Sequence, residues 1–173
     1  AELTFTGTIS DINEALSWLT YTPTTIVGPN GHGYSTIHTE VALDWATARD
    51  DAISRGGHLA TITSAEEQQI ISSLKPYDDW LGGYQDLDSP FYEEPNGGWK
   101  WVTDETWSHT NWASTGEPNN GGGSGNEHAL VWGSHAGEWH DADGDGNRTS
   151  YVIEYESVPD GSITLTTNDQ GYS

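Results

Sequence analysis

Two long polar stretches, residues 103–127 and 133–149, interrupt the C-terminal half of this chain and limit what it can fold into. Around them lie only short apolar runs: 80–84 (WLGGY), 99–102 (WKWV), 128–132 (HALVW) and 150–157 (SYVIEYES). Runs of that length read as strands. Loops longer than about 12–15 residues inside a compact domain are uncommon and tend to carry function. The part before residue 79 is different. Val41 to Arg55 predicts an amphipathic helix, with Ala42, Trp45, Ala48 and Ala52 on one face and Gly56-Gly57 as its stop. His58 to Ile62 predicts a short strand, and Ser64 with Glu67 forms a capping box for a second helix running to about Leu74.

Upstream, residues 2–6 alternate like a strand, and Ser10 caps a short helix from Asp11 to Leu19 that shares Ile12, Ala15, Leu16 and Leu19 on one face. Residues 28–33 (GPNGHG) form a turn cluster, and Tyr34 to His38 reads as a strand. At the far end, Ile163 to Thr166 is again strand-like. A strand, two helices, then short strands with long loops describe an α+β domain.

At 173 residues the chain fits one domain with flanking pieces. Nine Trp and eight Tyr supply its core, with Trp45, Trp80, Trp101, Trp112 and Trp132 expected inside. Lys and Arg number 5 against 27 Asp and Glu, a formal net charge of -22. That charge repels nucleic acid and anionic membranes, so neither is an expected partner. A bound calcium would change it little; the acidity reads as a solubility trait suited to salty surroundings. The absence of Cys rules out disulfides and thiolate metal sites. No apolar run is long enough to span a membrane. The chain starts at Ala1 in strand-like sequence, without Met or a signal-peptide pattern, so the expectation is a module cut from a longer protein.

The first long loop carries Glu117-Pro118-Asn119, and Glu127 and Asp141 follow within 25 residues. Three carboxylates and an amide oxygen on a chain that loops back suit calcium better than catalysis. Pro118 stiffens the turn, and a cis bond there would point both flanking side chains the same way. Other motifs carry less. Asp141 to Gly146 resembles the start of an EF-hand loop, but Val152 stands where the twelfth-position Glu belongs, which leaves a polar turn. His128, His135 and His140 lack the spacing of a zinc triad, and Asn147-Arg148-Thr149 is a glycosylation sequon. Nothing pairs a nucleophile with a base, so an enzyme is not expected.

The stretch from about Gly31 to Ser157 resembles a C-type lectin-like domain. The resemblance rests on Trp45, Ala48, Gly56 to Ile62, Ser64 to Glu67, Trp80-Leu81-Gly82-Gly83, Trp99-Lys100-Trp101, Asn111-Trp112, Glu117-Pro118-Asn119, Glu127, Trp132, Trp139 with Asp141, and Tyr151 to Glu154. It implies two helices, short antiparallel strands and long loops. Two disulfides usual in that family are replaced here, at Ala52 with Ile153 and at Ala129 with a residue near Gly144. Residues 3–23 and 161–169 are similar to the two ends of a cadherin-like repeat. This divides the chain into residues 1–30 and 158–173, as halves of a split β-sandwich, around a lectin-like domain at 31–157. Such modular, cysteine-free, acidic builds resemble repeats-in-toxin (RTX) adhesins and imply an extracellular or bacterial cell-surface location, as one monomeric module among many.

The resemblance also implies a site. Glu117, Asn119, Glu127, His140 and Asp141 would hold Ca2+, His140 standing where an Asn is usual. Glu117, Asn119, Glu127 and His140 would contact the sugar. The Glu-Pro-Asn order implies mannose, fucose, glucose or N-acetylglucosamine, on glycans of host or neighbouring cells. Imidazole is a poorer calcium ligand than an amide oxygen, so the alternative for His140 is a hydrogen bond to the sugar instead, or a surface position beside the loop. The accessory calcium site of the family reads as absent: Asp86 matches, but Pro90, Asn120 and His128 stand at its other positions.

Overall fold

A computed structural model describes residues 25–121, 126–133 and 137–157. The helix expected at Asp11–Leu19, the strands at 2–6 and 163–166, and nearly all of the two flanking segments lie outside those residues.

The sheet is built on a long antiparallel pair, β2 (Gly33–Leu43) and β8 (Arg148–Tyr155). Gly33 faces Tyr155 and His38 faces Ser150, so the incoming and outgoing ends of the domain lie side by side. From there the order runs β1-β2-β8-β4-β6-β7, with β3 added to β8 and β5 to β4. These strands are β1 (Ile26–Val27), β3 (His58–Leu59), β4 (Asp79–Gln85), β5 (Trp99–Trp101), β6 (Ala129–Trp132) and β7 (Trp139–Ala142). β1 pairs with β2 across the boundary drawn at residue 30.

The two helices are α1 (Trp45–Ser54) and α2 (Ala65–Ser73). The first begins four residues later than the Val41 start expected from its apolar face. Val41 to Leu43 continue β2, with Leu43 opposite Arg148. Asp44 then caps the helix by accepting from the Thr47 backbone N–H at 2.6 Å. The capping box at Ser64 and Glu67 forms as read. Two strand expectations change: β3 stops at Leu59, and β7 lies inside a stretch read as loop.

Burial falls into two apolar clusters. One gathers Trp99, Trp101, Trp132 and Trp139 with Tyr34, Ile62, Ile71 and Leu130. Its indoles meet edge to face, as in Trp101 with Trp139, whose ring centres are 5.7 Å apart. Trp99 and Trp139 were not among the expected core, whereas Trp45 and Trp112 are only partly buried. The second cluster packs Ala48 and Ala52 of α1 against Trp80, Tyr151 and Ile153. Ala52 and Ile153 thus share one apolar cluster where the family resemblance implies a disulfide. At the other such position, a Cβ placed on Gly144 would stand 3.7 Å from that of Ala129.

A buried carboxylate locks the ends of this frame. Glu154 is 2% exposed, accepts from Tyr34 Oη at 3.0 Å and from the Thr61 backbone N–H at 2.9 Å, and faces His32 Nδ1 at 2.7 Å. The hydrogen bond to Glu154 raises the His32 pKa above its ordinary value against the opposing effect of burial.

Candidate functional site

β7 ends the sheet, and its pairing with β6 sets Leu130 opposite Asp141 and Val131 opposite His140. Adjacent residues of a strand point to opposite faces, so His140 and Asp141 diverge from one edge. Asp141, 5% exposed, anchors the loop of the Glu-Pro-Asn triplet. The backbone N–H of Asn119 donates to its Oδ1 at 3.0 Å and its Oδ2 at 3.1 Å, and that of Asn120 donates to Oδ2 at 2.7 Å.

The peptide bond between Glu117 and Pro118 is cis. Glu117 and Asn119 face one another, the Asn119 amide Nδ2 donating to Glu117 Oε1 at 2.7 Å. Asn120 has a positive φ of 50° and its Oδ1 accepts from the Glu127 backbone N–H at 3.2 Å. The Glu127 carboxylate accepts in turn from the Gly121 backbone N–H. His140 Nδ1 stands 3.3 Å from Glu117 Oε1. The chain therefore brings Glu117, Asn119, Glu127, His140 and Asp141 into one connected cluster.

Electrostatics within it are unbalanced. Burial, then a hydrogen bond to Asp141, then the charges of Asp141 and Glu127 push the Glu117 carboxyl up to about 8. Its Oε2 is buried without a hydrogen-bond partner. An all-oxygen donor set, an unpartnered carboxylate oxygen and mutually repelling acids fit a hard divalent cation such as calcium. As the side chains stand they are engaged with backbone and amide groups. Among the described residues, no three acidic or imidazole groups gather closely enough to hold a metal ion.

Asp86, the one match to an accessory calcium site, pairs instead with Lys100 Nζ at 2.7 Å. His128 lies against Gln85 Oε1 at 3.1 Å, and His135 is outside the described residues. The EF-hand-like run is a turn between β7 and β8, in which Asp143 Oδ1 accepts from the Asp145 backbone N–H at 3.0 Å.

A family model for the lectin C-type domain matches residues 41–152. The chain belongs to the C-type lectin domain family. A type-2 ice-structuring protein of Hemitripterus americanus is 34% identical over 74 residues, covering 43% of this chain and 41% of its own length. The chain spans less than half the length of the curated relatives it matches. Among solved structures, the cow C-type carbohydrate-recognition domain of CD23, crystallised with a GlcNAc2Man3 oligosaccharide, aligns with a TM-score of 0.63 and 24% identity, over 78% of this chain and 95% of that one. A calcium-independent type II antifreeze protein aligns with a TM-score of 0.61 and 18% identity, over 80% and 100%. At such identities the structural likeness speaks for the fold.

Two features of this C-type lectin domain were not found by sequence reasoning. Asn120 reads in sequence as a misfit in the accessory site, yet it braces Glu127; its short amide side chain, tolerant of left-handed backbone, is the available signal. The other is an open cleft of 520 Å3, which Glu127, His140 and Asp141 share with Tyr77, Asp143 and Arg148.

Proposed function

We propose that the chain binds carbohydrate through calcium, with a preference for mannose, fucose, glucose or N-acetylglucosamine. The observation that carries this is the buried, unpartnered Glu117 Oε2 set among Asn119, Glu127 and Asp141. Glu117, Asn119, Glu127 and Asp141 would hold the ion, which would supply open coordination positions for two adjacent sugar hydroxyls. Around it the carboxylates accept from those hydroxyls, the Asn119 amide donates to them, and His140 offers a further hydrogen bond. The expected setting is a bacterial surface adhesin, an extracellular RTX-type chain in which this module is inserted into a split cadherin-like domain. A single exposed sugar contact is weak, about millimolar or ~4 kcal/mol, so adhesion relies on many copies per cell.

Thermal melting with calcium and with EDTA tests the metal: an unchanged midpoint overturns the proposal. A glycan array tests the sugar, with mannose- and fucose-type glycans retained over galactose. Exchanging the acid and amide, Glu117→Gln with Asn119→Asp, should weaken that preference.

A second reading is a calcium-independent module that binds protein or ice. Its support is the similarity to an ice-structuring protein and to a calcium-independent antifreeze protein. Binding that survives EDTA and ignores free sugars would favour it.

A further inference from the structure

A second set of titratable groups lies away from the edge strand β7, where the turn into β2 meets the end of β8. We propose that His32, set between Glu154 and Glu156, is a proton-operated latch. With hydrogen on both ring nitrogens it closes this end of the domain, and on losing one it lets the end loosen. The latch depends on neither ion nor sugar.

Geometry selects the charged ring. His32 Nδ1 stands 2.7 Å from Glu154 Oε1, and its Nε2 stands 3.4 Å from Glu156 Oε2. A carboxylate only accepts, and a neutral imidazole has a single N–H. Only the doubly protonated ring can therefore donate to both sides. His58 of β3 repeats the arrangement, with Nδ1 2.9 Å from the Leu59 carbonyl oxygen and Nε2 3.3 Å from Glu156 Oε1. Glu154, His32, Glu156 and His58 thus form one row, which ties the turn before β2 to β8 and β3.

The anchor of the row does not move with the proton. Glu154 accepts from Tyr34 Oη and from the Thr61 backbone N–H, and the Thr61 hydroxyl, 3.0 Å from it, also reaches Glu105 Oε2 at 2.8 Å. Asn30 Nδ2 joins Tyr34 Oη to Glu67 Oε1 of α2, at 2.8 and 3.0 Å. The charges acting on His32 are those of Glu154, Glu156 and Glu67. Glu154 is 2% exposed and little screened, whereas Glu156, at 71%, contributes less.

The hydrogen bond to Glu154, opposed by burial and joined by those charges, raises the His32 pKa above its ordinary 6.5. Its stabilisation is therefore complete below 6.5 and is lost as pH rises through the folded value. A ring that has lost a proton turns a lone pair towards a carboxylate. Because Glu154 keeps its other partners, the yielding parts are the turn that carries His32 and the chain at Glu156. The rung between Gly33 and Tyr155 lies next to both.

NMR on the whole chain in EDTA tests this. Ring nitrogen spectra at pH 6 should show hydrogen on both nitrogens of His32, with a titration midpoint above 6.5. Hydrogen-exchange protection around Gly33 and Tyr155 should fall roughly threefold to tenfold from pH 6 to 9, with little change around His38 and Ser150. His32→Gln, which keeps one donor, should remove that fall. Glu156→Gln, at an exposed position, should lower the His32 midpoint. A wild-type midpoint at or below 6.5, protection that is flat with pH, or a fall that His32→Gln retains overturns the latch. Should His32→Gln not fold, Glu156→Gln decides, and a His32 midpoint that it leaves unmoved overturns the proposal.

Discussion

Asp141 accepts the backbone N–H of Asn119 on both carboxylate oxygens, at 3.0 and 3.1 Å, and so fastens the triplet loop to the edge strand β7. Removing that acceptor leaves the half-buried N–H groups of Asn119 and Asn120 without their carboxylate partner. Asp141→Ala should therefore destabilise the chain by roughly 1–3 kcal/mol even in EDTA, from the loss of hydrogen bonds to a charged acceptor. Asp141→Asn keeps one acceptor oxygen and should lose less. Urea denaturation in EDTA measures both, and equal losses would show that the carboxylate does not organise the loop.

Calcium binding should depend on pH through Glu117. Its carboxyl is pushed up to about 8 by burial and neighbouring acids, so at neutral pH the ion must displace a proton. Affinity should rise by up to about tenfold per pH unit on approaching 8 and level off above it. The sign for the metal-free chain is opposite. A carboxyl whose folded pKa exceeds its ordinary 4.5 contributes stability that is full below 4.5 and is lost as pH climbs to about 8. Glu117→Gln should flatten both profiles, as calcium titrations and melts from pH 5 to 9 would show.

Gly133→Ala should expel the His140 ring, because the added methyl would occupy the space of its Cδ2 and Nε2. The expected result is weaker sugar binding with calcium affinity changed less than threefold, since His140 stands beside the ligand set rather than supplying its oxygens. An equal loss of both would place His140 on the metal. Proton NMR of the His140 ring follows the displacement directly.

Ala129→Cys with Gly144→Cys should form a disulfide. The Cβ separation of 3.7 Å lies within the range that such a bond spans without moving backbone. Closing this loop of about 15 residues should stabilise the oxidised chain by ~3 kcal/mol over the reduced one. A melting temperature indifferent to reductant would count against it.

The parts of the fold that sequence revealed are those written in local chemistry. The capping box at Ser64 and Glu67 and the spacing of Ala48 and Ala52 state their roles within a single turn of helix. The strand β7 did not announce itself. Four residues, two of them polar, gain strand geometry only from pairing with β6, which lies across a loop. The start of α1 was misjudged because Ala42 continues its apolar face, although Asp44 is the better cap. At the site, the residue types and their order were legible in Glu117, Asn119, Glu127 and Asp141. Their connection through backbone N–H groups was not, because it depends on Asn120 adopting a left-handed turn. Tyr77 and Arg148 reach the cleft from positions far apart in the chain, a juxtaposition that no local pattern encodes.

The pairing of Gly33 with Tyr155, clasped by Glu154 and His32, has a mechanical consequence. Tension applied at residues 33 and 155 acts at the same end of an antiparallel pair. It would open the β2–β8 ladder one rung at a time, beginning at that clasp, instead of shearing all rungs together. The triplet loop hangs on β7, at the other extreme of the sheet. Load entering there would thus reach the Glu117–Asp141 cluster last, after the frame had begun to yield at its other side.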